Sequence, residues 1–222
     1  MRYRICPPHN PTTPHHDREF NVPSIYQLKP RFQALLRPGV ERLHARGVTA
    51  NQVTVSAAVV SLLLGLLLTW LSHITWLFIL IPIWMLLRMA LNAVDGMLAR
   101  EFGQQSTLGA YLNELCDLIA DAALYLPFAL LAGVWPSLVV LVVLSATISE
   151  YAGVMGPLAG ASRRYDGPMG KSDRAFAFGV LGTGVAFGLL GAPWINGLLL
   201  VILALSLYTL YNRVRQGLLE TR

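Results

Sequence analysis

The sequence predicts an all-α, polytopic membrane protein: six transmembrane helices preceded by an amphipathic helix that lies at the membrane interface. Three observations predict it. Hydrophobic residues make up 55% of the 222-residue chain and charged residues only 13%, against about 25% charged in an average soluble domain. Three runs, Gly47 to Leu87, Ala122 to Ser149 and Ala175 to Asn212, contain no Asp, Glu, Lys or Arg. A helix crosses a bilayer with roughly 20 apolar residues, so the first and third runs each hold two crossings joined by a short turn. The third observation is that Lys and Arg fall only in alternate connections between the expected spans.

Residues 1–22 are rich in Pro and His and lack periodicity, and they read as a disordered cytoplasmic tail. The tail has no apolar run of the kind a cleavable signal peptide needs. His15 and His16 have no further ligands at metal-site spacing. Cys6 and Cys116 form no disulfide framework and read as free thiols on a reducing side. Residues 23–48 form the interfacial segment. Ile25, Leu28, Phe32, Leu35 and Leu36 recur at helical spacing, punctuated by Lys29, Arg31, Arg37, Arg42 and Arg46. That pattern suits a helix lying among anionic headgroups, with Pro30 and Pro38 expected to break it into short pieces.

The membrane domain covers residues 49–215. Thr49 opens a polar helix start, "TANQVT". The spans are expected at Val53–Ser72, Trp76–Asn92 (with a polar extension to Arg100), Gly109–Leu131, Ser137–Leu158, Ala175–Leu190 and Leu198–Tyr211, with a basic stretch after the last and a cytoplasmic tail at 216–222. Arg100 follows the second span. Arg163, Arg164, Lys171 and Arg174 follow the fourth, and Arg213, Arg215 and Arg222 follow the sixth. The turns after spans one, three and five hold no Lys or Arg. Positive charge marks the cytoplasmic side. Both termini are therefore expected in the cytoplasm, with the chain in the bacterial inner membrane. The acids sit on that same side. A transporter would need polar residues at several depths, which disfavours that class. Membrane lipids are the expected surroundings, and no nucleic-acid partner is expected.

The chemistry concentrates in "NAVDGMLAREFGQQSTLGAYLNELCDLIAD", Asn92 to Asp121. Asn92, Asp95 and Ala99 are spaced i, i+3, i+7 at the end of span two. Asn113, Asp117 and Asp121 are spaced i, i+4, i+8 at the start of span three. Each set shares a helical face, and the short loop between the spans makes them antiparallel neighbours. Ionisable groups inside a membrane helix are costly and mark a functional site by default. Carboxylates this close repel one another unless a cation sits between them, and Asp and Asn oxygens suit a hard cation such as Mg²⁺ or Mn²⁺. Gly96 and Gly109 leave room for a backbone or a flat ligand to come close. Arg100 reads either as a phosphate contact or as a plain cytoplasmic anchor.

The series Asp95-Gly96-x2-Ala99-Arg100-x8-Gly109-x3-Asn113-x3-Asp117 resembles the signature of the CDP-alcohol phosphotransferases, D-x2-D-G-x2-A-R-x8-G-x3-D-x3-D. Every spacing matches, and six of the eight fixed residues are present. The "GVTANQVT" start and the "GPMGKSDR" loop also look like this family, over about Ser24 to Arg215. The resemblance implies transfer of a phosphatidyl or phosphoalcohol group from a CDP-linked donor, such as CDP-diacylglycerol, to an alcohol acceptor with release of CMP. It implies two divalent ions across the donor pyrophosphate and makes Asp95 a metal ligand. Gly96, Ala99, Arg100 and Gly109 would bind the CDP moiety, and Asp117 would be the general base and a further metal ligand. Homodimers are usual in the family.

The chain departs from the signature at Asn92 and Asn113, where the family carries Asp. An amide keeps an oxygen for a metal but brings no charge. Three accounts stay open. Nearby acids compensate, since Glu114, Asp117 and Asp121 are spaced i, i+3, i+7; or one metal suffices; or the protein only binds a nucleotide or lipid. Asp121 has a second reading, as the partner of Arg88 one turn above Asn92. Glu150 reads as a cavity residue or as the partner of a neighbouring Arg.

Overall fold

The computed structural model describes residues 25–221, and the regular structure among them is all helical, with no strand. The N-terminal tail, with His15, His16 and Cys6, lies outside the described residues. The helices are α1 (Ile25–Ala45), α2 (Ala50–Trp70), α3 (Leu80–Glu101), α4 (Thr107–Tyr125), α5 (Pro136–Met155), α6 (Lys171–Ala186) and α7 (Ala192–Glu220). Short 3-10 turns at Thr75–Ile79, Leu126–Leu130 and Pro157–Ala159 join some of them. By length and composition, four helices are apolar enough to cross a membrane: α2, α3 with its 3-10 lead-in, α5 and α7. The other two segments expected to span are also helical. α4 carries Glu114, Asp117 and Asp121, and α6 has only 16 residues and opens on Lys171, Asp173 and Arg174.

The helix boundaries follow local chemistry. Thr49 caps α2: its hydroxyl accepts from Gln52 N–H, and the Gln52 side chain accepts from Thr49 N–H at 2.9 Å. Ser106 caps α4 by accepting from Gly109 N–H at 3.0 Å. α6 starts four residues earlier than expected because the Asp173 carboxylate accepts from Gly170 N–H at 3.0 Å. That turn winds "KSDR" into the helix. α7 starts within the expected "GAPWING" turn, with Pro193 in its first turn, where a missing N–H is harmless.

α1 corrects one expectation. It runs unbroken through Pro30 and Pro38. A proline removes one helical hydrogen bond, but Pro38 sits on the exposed side, and packing beyond it holds the helix together. Val40 is fully buried, with Leu36 and Leu43 beside it, in a cluster with Ala50, Val53, Val94, Met97 and Leu98. Arg37 on the other side reaches Glu101 at 2.8 Å. α1 is thus fastened over the end of α3.

α2 packs against α4 and α3, α3 against α6, and α5 against α7. The main core lies between them. Phe178 of α6 stacks on Tyr125 with ring centroids 3.8 Å apart and meets Phe128 edge-on at 5.3 Å. α2 and α4 come close at Gly65, where a Cβ would lie 2.2 Å from the Ala123 carbonyl oxygen. Small residues permit such approach in membrane bundles. Outward-facing Leu63, Leu66, Leu86, Leu141 and Val201 are largely exposed, as lipid-facing positions would be.

Candidate active site

The polar residues gather at one end of the bundle: the start of α2, the second half of α3, the start of α4, the end of α5, the 160–170 loop, the start of α6 and the end of α7. Asp95 on α3 is buried, and its Oδ2 accepts a hydrogen bond of 2.8 Å from the Thr54 hydroxyl on α2. Asp117 on α4 is half-buried. Its Oδ1 accepts from Arg88 Nη2 at 2.9 Å, and its Oδ2 is paired with the Lys171 ammonium. Arg88 also donates to the Asp117 carbonyl at 3.1 Å and forms a buried ion pair with Asp121. The Arg88–Asp121 pairing, one of two sequence readings, is therefore present.

Glu114 is held from a different side. It forms a two-bond ion pair with Arg163 of the 160–170 loop, one bond being 2.9 Å. Burial disfavours the Arg163 charge, but the hydrogen bonds and charge of Glu114 outweigh it and hold the guanidinium pKa above its ordinary value. Arg164 is taken by Asp166 at 2.8 Å and by Glu220. Deeper in, Glu150 joins Arg174 at 2.6 Å and Arg213 at 3.2 Å, which ties α5, α6 and α7 together. Glu150 is thus a partner of neighbouring arginines.

The two signature glycines are both crowded. A Cβ on Gly96 would lie 2.8 Å from the Arg100 guanidinium, so that group folds back over the glycine. Arg100 makes no ion pair among the described residues. A Cβ on Gly109 would lie 2.7 Å from Asn51 Oδ1. The Ala50 N–H donates to Gln104 Oε1 at 2.7 Å, clamping the start of α2 to the α3–α4 loop. Ala99 is partly buried next to Arg100.

A cavity of about 830 Å³ opens between α3 and α6. Its walls are apolar, with Met85, Leu86, Phe176 and Val180 among them, and its polar end is formed by Arg88, Asn92, Asp121 and Lys171. Asn113 is partly buried on the same face of α4 as Asp117 and Asp121.

Fit to a divalent cation follows from these donors. Among the described residues no three His, Cys, Asp or Glu side chains converge as a metal group. Asp117, Asp121 and Glu114 each already hold a cationic side chain, and Asp95 has none among the described ion pairs. The signature positions offer Asp95, Asp117 once a cationic partner is displaced, and the amide oxygens of Asn92 and Asn113, donors of the kind a hard cation prefers.

Sequence reasoning missed Thr54, Asn51 and the reach of Lys171 to Asp117. The signal for the first two was the "TANQVT" stretch, which reads as a helix start but also puts two polar side chains inside the first turns of an apolar helix. The third had no local signal, since 54 residues separate the partners.

Crowded glycines, an arginine with no ion pair among the described residues, and paired acids on two neighbouring helices lie beside an apolar cavity. The match to the CDP-alcohol phosphatidyltransferase family model over residues 47–212 places the chain in that family, whose members are transferases of phospholipid biosynthesis. It is 47% identical over 196 residues to the inner membrane protein YnbA of Escherichia coli (strain K12), covering 88% of this chain and 97% of that one. It is 28% identical over 195 residues to the phosphatidylinositol phosphate synthase of Corynebacterium glutamicum, covering 82% and 83%. Among solved structures it resembles Mycobacterium tuberculosis phosphatidylinositol phosphate synthase with CDP-DAG bound. The TM-score is 0.67 at 18% identity, over 81% of this chain and 92% of that one. The same enzyme in complex with manganese and citrate also gives 0.67 at 18% identity, over 81% and 87%. At that identity the likeness speaks for the fold.

Proposed function

We propose that this protein transfers a phosphatidyl group from a CDP-linked lipid, CDP-diacylglycerol by preference, to the hydroxyl of an alcohol acceptor, releasing CMP. The cavity between α3 and α6 carries this reading. Its apolar walls suit acyl chains, and its polar end at Arg88, Asn92, Asp121 and Lys171 lies beside Asp117. A soluble donor would have no use for such walls. The relatives named as phosphatidylinositol phosphate synthases, and the solved neighbour with CDP-DAG bound, support the choice of donor.

In this reading all six helices α2–α7 span the membrane, with the site at the cytoplasmic face and α1 lying along that interface. The Arg-bearing ends support this orientation by the positive-inside rule. The opposite ends carry exposed Trp70, Trp76, Trp135 and Trp194, in keeping with an aromatic belt at the far interface.

The residues divide the work. Gly96 and Gly109 let the nucleotide approach the helix backbones. Arg100, without a carboxylate partner among the described residues, meets a phosphate of the CDP moiety, and Ala99 keeps the neighbouring surface shallow. Asp95, Asn92, Asn113 and Asp117 are the donors for Mg²⁺ or Mn²⁺, which when bound would neutralise pyrophosphate charge. The acceptor oxygen forms a bond to the phosphatidyl phosphorus, the bond from that phosphorus to the CMP oxygen breaks, and the hydroxyl proton passes to Asp117. Lys171 is the mobile partner of Asp117: its side chain is one-third exposed, against 5% for Arg88. It can leave the carboxylate for an incoming phosphate.

The test is CMP release from CDP-diacylglycerol by the purified protein in lipid, with a panel of alcohols, in Mg²⁺ or Mn²⁺ and in EDTA. Release that needs one alcohol supports the transferase and names the acceptor. Binding of CDP-diacylglycerol without release favours a catalytically impaired lipid-binding protein instead. The cations on both oxygens of Asp117 and the amides at 92 and 113 are what would favour that second reading.

A further inference from the structure

On the signature-bearing helices of this chain two amides stand at acid positions of the signature, and a buried arginine stands one turn from the first of them. Asn92 and Asn113 bring no charge where a carboxylate would bring one each. Arg88 stands one turn before Asn92, in the middle of an apolar helix, with 4% of its surface exposed. A guanidinium at that depth is expensive unless it is paired and has work to do. It is paired twice across the helix interface, to Asp117 Oδ1 at 2.9 Å and to Asp121. Asp121 lies outside the signature and one turn beyond Asp117, where it balances Arg88. The guanidinium thus sits between two carboxylates, the place a cation would take in a cluster of acids, and its planar donors match carboxylate and phosphate oxygens. Arg88, Asn92 and Asp121 also line the polar end of the cavity, so the pair borders the ligand space.

The remaining oxygens set the capacity for metal. Asp95 is the one signature carboxylate without a cationic partner among the described residues, and Asp117 can add an oxygen only by giving up Lys171. Two carboxylates balance the charge of one divalent cation, where the four of the full signature would balance two, and the amides at 92 and 113 add oxygens but no charge. We propose that Arg88 is a built-in substitute for one divalent cation, so that the site takes a single Mg²⁺ or Mn²⁺ per chain and meets the donor's pyrophosphate with the guanidinium on the other side. The proposal rests on the transferase reading for its ligand, but its count of ions does not depend on turnover.

The experiment is an equilibrium Mn²⁺ titration of EDTA-stripped protein in lipid nanodiscs, with and without CDP, following free Mn²⁺ by electron paramagnetic resonance. One bound ion per chain is the expected result. The variant Arg88→Gln/Asp121→Asn/Asn92→Asp/Asn113→Asp, which removes the internal pair and restores four carboxylates, is expected to bind two. Two ions on the unaltered protein, or none in either condition, overturns the proposal. Should the fourfold variant fail to fold, the count on the unaltered protein still decides. CMP release together with two bound ions sinks this inference and leaves the transferase standing. One bound ion without CMP release under any alcohol sinks the transferase and leaves the ion count standing.

Discussion

Arg88 on α3 and Asp121 on α4 form an ion pair in which both residues are more than nine-tenths buried. Such pairs are weak sources of net stability but expensive to break from one side, because the surviving charge is left without a partner. Asp121→Asn is expected to destabilise the protein by about 3–5 kcal/mol, with Asp117 offsetting part of that through its own bond to Arg88. Arg88→Met/Asp121→Leu is expected to recover most of the loss, since an apolar pair of similar size suits the surroundings. Thermal melting in one detergent checks both. If the single and double variants melt alike, the pair contributes nothing through its charges.

Asp117 is a different case, because it is only half-buried and stands where the acceptor hydroxyl must lose its proton. Asp117→Asn keeps the shape and an acceptor oxygen for Arg88 but removes the basic group. CMP release is expected to fall by about 10²- to 10⁴-fold, the usual worth of a positioned base. The melting temperature should drop less than in Asp121→Asn. Full CMP release by Asp117→Asn would move the base elsewhere on α4.

Thr54 has one evident partner in the site, the Asp95 carboxylate 2.8 Å away. Partners that orient a ligand typically carry 10- to 100-fold in metal affinity or activity, by order of magnitude. Thr54→Val keeps the volume and removes the hydrogen bond, and it should weaken Mn²⁺ binding by about that factor. Thr54→Ser restores the hydroxyl and should restore most of the affinity. Equal loss in both variants would take the effect away from the hydroxyl, since Ser keeps it and loses only the methyl group.

The helices and the signature were legible because both are short-range patterns. Uncharged runs mark the spans, and offsets of three and four place Asp95, Asp117 and Asp121 on facing surfaces. The Arg88–Asp121 pair was legible for the same reason, as each lies one turn from a signature position. The continuity of α1 through Pro38 was not legible, because the tertiary contacts of Val40 with Val94 and Met97 decide it and propensity sees only the lost hydrogen bond. Lys171 reaching Asp117, and Arg163 reaching Glu114, were hidden as well. The loop from 157 to 170 folds back onto α4 by contacts about fifty residues apart in sequence. A count of charges per loop records such residues as free surface cations, whereas here each is already neutralised.

The close contact of α2 with α4 gives a last prediction, one that separates packing from helix propensity. A Cβ at Gly65 would come 2.2 Å from the Ala123 carbonyl oxygen, far inside van der Waals contact, and the obstacle is rigid backbone. Gly65→Ala must therefore push the two helices apart, at a cost of about 1–3 kcal/mol for overpacking. In an uncrowded helix the same change helps, by roughly 0.5–1 kcal/mol. Gly197 on α7 is the control, since nothing lies within 4 Å of the Cβ it lacks. Gly197→Ala is expected to leave melting unchanged or slightly higher, while Gly65→Ala lowers it. The second effect should reach the site, because α2 carries Thr54 and α4 carries Asp117, and spreading these helices moves Thr54 relative to Asp117. CMP release by Gly65→Ala should fall at a temperature where the variant is still folded. If Gly65→Ala melts like Gly197→Ala, α2 and α4 do not approach at residue 65, and the site's dependence on that approach falls with it.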